Sequence, residues 1–118
     1  MQRLLRTSIT LLILGAPCAA SAADYAPLDC AKAKSGAEIA ICRTYSLGQA
    51  EARMATLYGV ATSLVAMGQR GDLGDTQQQW LKRRAACGRN IACLTKAYDE
   101  RIGQLNKIIA GIASHGPY

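Results

Sequence analysis

The most reactive side chains in this sequence are five cysteines and one histidine. Thiols can act as nucleophiles, bind zinc or pair as disulfides, and an imidazole can act as a base for a nucleophile within hydrogen-bond reach. The histidine, His115, stands beside Gly116 and Pro117 at the end of the chain, where side chains are usually exposed. It is poorly placed as a catalytic base, so we do not expect nucleophilic catalysis.

Acidic side chains could supply the paired carboxylates of glycoside hydrolysis. Of the eight acids, Glu38 and Asp75 stand at expected helix N-termini, and Asp24 precedes the first helix. Asp99 and Glu100 are neighbours on a predicted helix and therefore point in different directions. The sequence predicts that the protein is not an enzyme.

Zinc binding is a second use of cysteines, and their spacing argues against it. Structural zinc sites usually draw ligand pairs from positions two to four residues apart. Here eleven residues separate Cys30 from Cys42, and five separate Cys87 from Cys93. We therefore predict no metal site and no cofactor.

The start of the chain has the pattern of an export signal. Arg3 and Arg6 precede a short apolar core, and an A-x-A cleavage site ends at Ala22. The core is shorter than the roughly 20 residues that a permanent anchor needs. We expect a signal peptide at residues 1–22, a mature domain at residues 23–118, and a periplasmic or secreted protein.

Cys18 lies within this signal, where acylation of a lipoprotein is the alternative to cleavage after Ala22, although Pro17 fits an acylation site poorly. Cleavage removes Cys18 and two of the 14 basic residues, leaving four cysteines and 12 basic against eight acidic residues, a net charge of +4. This charge does not indicate nucleic-acid binding, and no remaining apolar run is long enough for a transmembrane segment.

Four cysteines in a small exported domain predict two disulfides, with three possible pairings. Loop entropy favours a long link from Cys42 to Cys87, worth about 4 kcal/mol against roughly 2 to 3 kcal/mol for a local link. Geometry favours Cys30 with Cys42 and Cys87 with Cys93, because each pair flanks a predicted helix start where the chain can double back. We predict the local pairing.

Helical periodicity covers most of the mature chain. Ser35 and Glu38 have the spacing of a capping box for a short helix, and a long helix follows from Leu47 to Gly68. Three glycines in residues 68–75 predict a turn, after which Asp75 caps a medium helix.

The last predicted helix is long and begins at Asn90, and no segment shows the alternation of a strand. The sequence therefore predicts an all-α fold, a small disulfide-stapled bundle of a short, a long, a medium and a long helix. We expect the two long helices to pack antiparallel.

The medium helix carries Gln77, Trp80, Arg84 and Cys87 at steps of three and four, along one inward-facing stripe. We expect Trp80 and Tyr98 to be core residues, with a role as binding anchors as the alternative.

Two arginines, Arg84 and Arg101, lie on or beside the buried stripes. We expect each guanidinium to pair with Glu38, Glu51 or a helix carbonyl, with an anion site as the alternative. The exposed basic residues expected near the Cys87 corner, where an anion or partner could bind, are Lys82, Arg83 and Arg89.

The spacing as a whole resembles the LprI family of small exported bacterial proteins. The residues that carry the resemblance are Cys30, Glu38, Ile41, Cys42, Leu47, Tyr58, Gln77, Trp80, Leu81, Arg84, Cys87, Cys93, Leu94, Tyr98, Arg101, Ile102 and Leu105. The resemblance implies a helical, disulfide-bonded exported module, and one family member is an inhibitor of lysozyme.

We therefore predict an exported, non-enzymatic binding module whose partner, by the resemblance, is lysozyme. The alternative is an envelope-associated structural protein that binds an anionic ligand or an acidic protein through the basic residues near Cys87.

Overall fold

The computed structural model describes residues 28–115, so the predicted signal peptide, Cys18 and the last three residues lie outside the described part. A 3-10 turn at Cys30–Lys32 precedes four helices, which are α1 Gly36–Arg43, α2 Tyr45–Leu64, α3 Met67–Ala86 and α4 Ile91–Ser114. Within this range there is no strand, and no helix has the length and hydropathy to cross a membrane. The predicted all-α fold with four helices is confirmed.

The helix α1 begins with the predicted capping box. The Ser35 hydroxyl accepts a hydrogen bond from the Glu38 amide at 3.2 Å, and the Glu38 carboxylate accepts from the Ser35 amide at 3.0 Å. The carboxylate also accepts from the Lys34 amide at 2.9 Å. These bonds satisfy backbone donors that the first turn of a helix leaves unpaired, so they fix where α1 starts.

The glycine-rich segment is where the predicted helix boundary is wrong. Only Val65 and Ala66 connect α2 to α3, which starts at Met67, so Asp75 lies inside a helix of 20 residues instead of capping a shorter one. Each glycine in a helix costs about 1 kcal/mol relative to alanine. The burial of Leu73 and Val65, worth roughly 1.5 to 3 kcal/mol each, helps to offset that cost.

The longer α3 also changes the direction of packing. The helix α2 packs most extensively against α4, and the two run in the same direction. Glu51 and Tyr98, near the helix starts, are hydrogen-bonded, while Leu64 and Ile112, near the ends, line one pocket. The antiparallel expectation for the two long helices is wrong because α3 returns the chain along the whole bundle before α4 begins.

The core is centred on Trp80 and Tyr98, which are 1% and 0% exposed and pack edge to face with ring centroids 5.3 Å apart. The Trp80 indole donates to the Ala97 carbonyl at 2.8 Å. The predicted placement of both aromatic residues in the core is confirmed. The other buried nonpolar residues are Ala37, Ala40, Ile41, Leu47, Met54, Ala61, Val65, Leu73, Leu94 and Leu105.

Both disulfides have the predicted local pairing. Cys30 is bonded to Cys42 and Cys87 to Cys93, with Cα atoms 5.7 and 5.6 Å apart. Gly88 has a φ of 54°, a left-handed conformation that lets the chain reverse between α3 and α4.

The helix α1 lies against this reversal, since a Cβ atom at Gly36 would come within 3.2 Å of the Arg89 side chain. We call the region of α1, the two disulfides and the Gly88 turn the stapled end. The region of Val65, Ala66 and the last turn of α4 is the open end.

Candidate functional site

A charged cluster is buried near the stapled end. The Arg84 guanidinium donates to the Glu51 carboxylate at 3.0 Å and to the Tyr98 hydroxyl at 3.3 Å. The Tyr98 hydroxyl donates to the same carboxylate oxygen, and the Leu28 amide donates to the other one at 3.3 Å. Arg84 therefore pairs with Glu51, one of the partners expected from the sequence.

The cluster pairs one positive charge with one negative charge and keeps the Tyr98 phenol neutral. Burial, followed by the neighbouring Glu51 charge, raises the pKa of Tyr98 well above its ordinary value, so the hydroxyl remains a donor. The Arg84 guanidinium also lies 5.4 Å from the centre of the Trp80 ring, within range of a cation–π interaction. These contacts link α2, α3 and α4 through one polar assembly.

A second buried arginine, Arg101, is held in a different way. Its Nε donates to Gln77 at 2.8 Å, and its terminal nitrogens donate to Gln104 at 3.1 Å and to Thr76 at 3.5 Å. Among residues 28–115, no carboxylate forms an ion pair with it.

The expectation that Arg101 pairs with a carboxylate or a helix carbonyl is wrong. Glu51 is already bonded to Arg84 and Tyr98, and side-chain amides take its place at Arg101. Burial lowers the pKa of Arg101, and the positive charge of Arg83 lowers it further, whereas Tyr58 has the opposite effect.

A groove of about 490 Å³ lies over Arg101, between α3 and α4. Arg83 and Lys107 are its exposed basic residues, and Arg101 is its buried one. The other side chains that line it are Thr76, Gln79, Gln104 and Ile108. The groove therefore combines three cations with neutral hydrogen-bonding groups, and none of its lining residues is acidic.

The basic residues predicted near Cys87 are all exposed, but they do not face one groove. Arg83 lines the α3–α4 groove, whereas Arg89 lies against the start of α1 at Gly36. Lys82 is exposed on α3 and does not line the groove. His115, the C-cap residue of α4, is exposed as expected.

The sequence does not single out five of the groove residues, which are Thr76, Gln79, Gln104, Lys107 and Ile108. They are ordinary polar or nonpolar residues, and nothing about their type draws attention. A signal does exist in the positions of the polar ones, because polar residues flank the buried stripe of α3 at 76, 79 and 83 and that of α4 at 104 and 107. Two such flanks meet only if the helices pack side by side, which periodicity does not show.

Metal binding has no support in the described part of the chain, where no three His, Cys, Asp or Glu side chains are grouped to hold an ion.

Comparison of the chain with protein-family models, with curated proteins and with solved structures found no match. The resemblance to the LprI family therefore depends on the sequence motif.

Proposed function

We propose that the protein is an exported, non-enzymatic binding module of the LprI type and that its partner is a lysozyme. The observation that carries this proposal is the position of the motif side chains. Gln77, Trp80, Arg84, Tyr98 and Arg101 are all buried and bonded to one another or to their neighbours in the interior. The motif behind the resemblance thus serves to build the bundle.

Buried polar groups that bond to each other offer little to a substrate. The Arg84 guanidinium and the Tyr98 hydroxyl both donate to the Glu51 carboxylate. A reaction at these groups would have to break hydrogen bonds inside the core, where an unsatisfied donor or acceptor is costly. Binding at the surface leaves them intact, which favours a protein that acts by contact.

Contact with a lysozyme must depend on short-range packing. Common lysozymes are strongly basic, so a mature chain of net charge +4 meets them against long-range repulsion. Among residues 28–115, three of the large nonpolar side chains that are exposed lie at or near the open end, where Val60, Leu64 and Met67 are 40%, 47% and 80% exposed. We place the lysozyme contact on this nonpolar surface.

The test is a turbidity assay of cell-wall lysis by lysozyme, with and without the purified protein. We expect inhibition that persists at about 0.15 M salt, because nonpolar contacts are not screened. Replacing Leu64 and Met67 together by serine should weaken inhibition about tenfold or more, as the loss of anchor residues does in other interfaces.

The matched control is Tyr45→Ser, which removes a side chain that is 84% exposed at the other end of α2. This variant should inhibit as well as the native protein. Lack of inhibition by the native protein, or equal losses in the two variants, would contradict the proposal.

A further inference from the structure

We propose that the groove between α3 and α4 binds a phosphate monoester, with Arg83, Arg101 and Lys107 as its cationic residues. This inference does not depend on lysozyme binding, because the groove lies on another part of the surface and takes a small anion. It also differs from the predicted basic corner, with which it shares only Arg83.

The first argument is the charge of Arg101. A buried cation is normally balanced by a carboxylate, as Arg84 is by Glu51. Within the described residues Arg101 has only neutral acceptors, and it is 2% exposed. An anion in the groove beside it would supply the missing negative charge.

The second argument is the number of hydrogen-bond donors that Arg101 leaves unused beside the groove. A guanidinium carries five N–H donors, and Arg101 uses three of them on Gln77, Gln104 and Thr76. No acceptor among residues 28–115 takes the other two donors. The bond to Thr76 is also long, with 3.5 Å between the nitrogen and the oxygen. Planar arginine forks match phosphate oxygens well, and so Arg101 is suited to be a fixed contact.

The third argument is the composition of the rim. Arg83 and Lys107 bring two further positive charges on long exposed side chains, and no acidic residue lines the groove, whereas Asp72 lines the neighbouring pocket. Three cations favour a dianion, and a phosphate monoester carries about −1.5 to −2 charges at pH 7. Gln79 and Thr76 can bond to hydroxyl groups of the esterified alcohol.

The ester could be a free small molecule or the head of a lipid, and the chemistry of the groove is the same for both. Isothermal titration calorimetry of the purified protein with inorganic phosphate and with glycerol 3-phosphate tests the first source. Sedimentation with phosphatidylcholine vesicles that contain phosphatidic acid tests the second. We expect saturable binding in at least one arm, weakened by added salt.

The decisive variant is the double substitution Arg83→Gln with Lys107→Gln, whose side chains are exposed and whose loss should leave the fold intact. It should weaken binding about tenfold or more. The matched control, Arg43→Gln with Arg53→Gln, removes the same charge from exposed residues of α1 and α2 and should change binding less than about threefold.

Loss in the groove variant with retention in the control supports the inference, and the arm that shows it identifies the source. Equal weakening in both double variants would overturn it, since charge alone would then explain binding. Absence of saturable binding to phosphate, glycerol 3-phosphate and vesicles would overturn it as well.

Discussion

At the stapled end, two disulfides, the Gly88 reversal and the buried Glu51–Arg84–Tyr98 cluster hold α1 against the three longer helices. At the open end, α2 and α3 are joined by Val65 and Ala66 with no disulfide among the described residues, and nonpolar side chains remain exposed. The comparison separates two tasks. Covalent links and buried charge fix the geometry of one end, and the other end keeps surface that a partner can use.

The largest expected effect comes from breaking the charged cluster. Glu51→Gln keeps the size of the side chain but removes the buried negative charge that pairs with Arg84 at 3.0 Å. We expect the free energy of unfolding to fall by about 3 kcal/mol or more, as measured by guanidinium denaturation.

The control for this variant is Glu100→Gln, which removes an exposed ion pair with Lys96 at 3.9 Å. Its effect should be within about 0.5 kcal/mol. If the two variants are equally stable, the charged cluster does not hold the stapled end. A second check is Glu51→Gln combined with Arg84→Met, which should recover part of the loss because both charges of the buried pair are then removed together.

Glycine-to-alanine substitutions should have an intermediate effect on stability, with opposite signs at the two ends. Gly71, near the open end, is helical, and a Cβ atom added there would have no neighbour within 4 Å, so Gly71→Ala should stabilise the protein by about 0.5 to 1 kcal/mol. Gly88 has a positive φ, so Gly88→Ala should destabilise it by about 1 kcal/mol. Thermal melting of both variants measures the difference. Changes of the same sign would show that the two glycines do not differ as proposed.

The smallest expected effect on stability comes from the Glu38 carboxylate, which caps the start of α1. Hydrogen bonds from the Ser35 and Lys34 amides lower the pKa of Glu38 below its ordinary value of 4.5. A lowered pKa in the folded state means that the stabilisation is present above about pH 4.5 and is lost as the pH falls through the folded-state pKa.

Glu38→Gln should therefore be slightly less stable than the native protein at pH 7, by less than about 1 kcal/mol because the site is solvated. The two proteins should become equally stable in acid. Denaturation curves at pH 7 and at about pH 3 provide the measurement. A difference that does not change with pH would mean that the carboxylate charge contributes nothing to the cap.

The caps of α1 and α4, the buried stripes and the local disulfide pairing could be predicted because each depends on residues close together in the sequence. Ser35 and Glu38 are three positions apart, and Asn90 caps α4 by accepting from the Cys93 amide. The sequence also limits the partners of Arg84 to a few candidates that include Glu51, since a buried charge requires an opposite charge.

The groove and the partners of Arg101 could not be predicted in this way. Gln77 and Thr76 lie on α3 and Gln104 on α4, so their meeting depends on how the two helices are rotated and aligned. An amide can satisfy an arginine donor as a carboxylate can, and the sequence offers many amides. Only the packing selects which one is near.

The sequence by itself determined that the chain forms amphipathic helices and that α1 and α4 begin after the capping residues Ser35 and Asn90, and it favoured the local disulfide pairing, because hydrogen bonding and periodicity act over a few residues. The tertiary structure alone decided that α3 begins at Met67, that α2 and α4 run in the same direction, and that Arg101 lies beneath a basic groove. These features depend on burial against distant residues, such as that of Leu73, and burial can override the local preference of a glycine-rich segment.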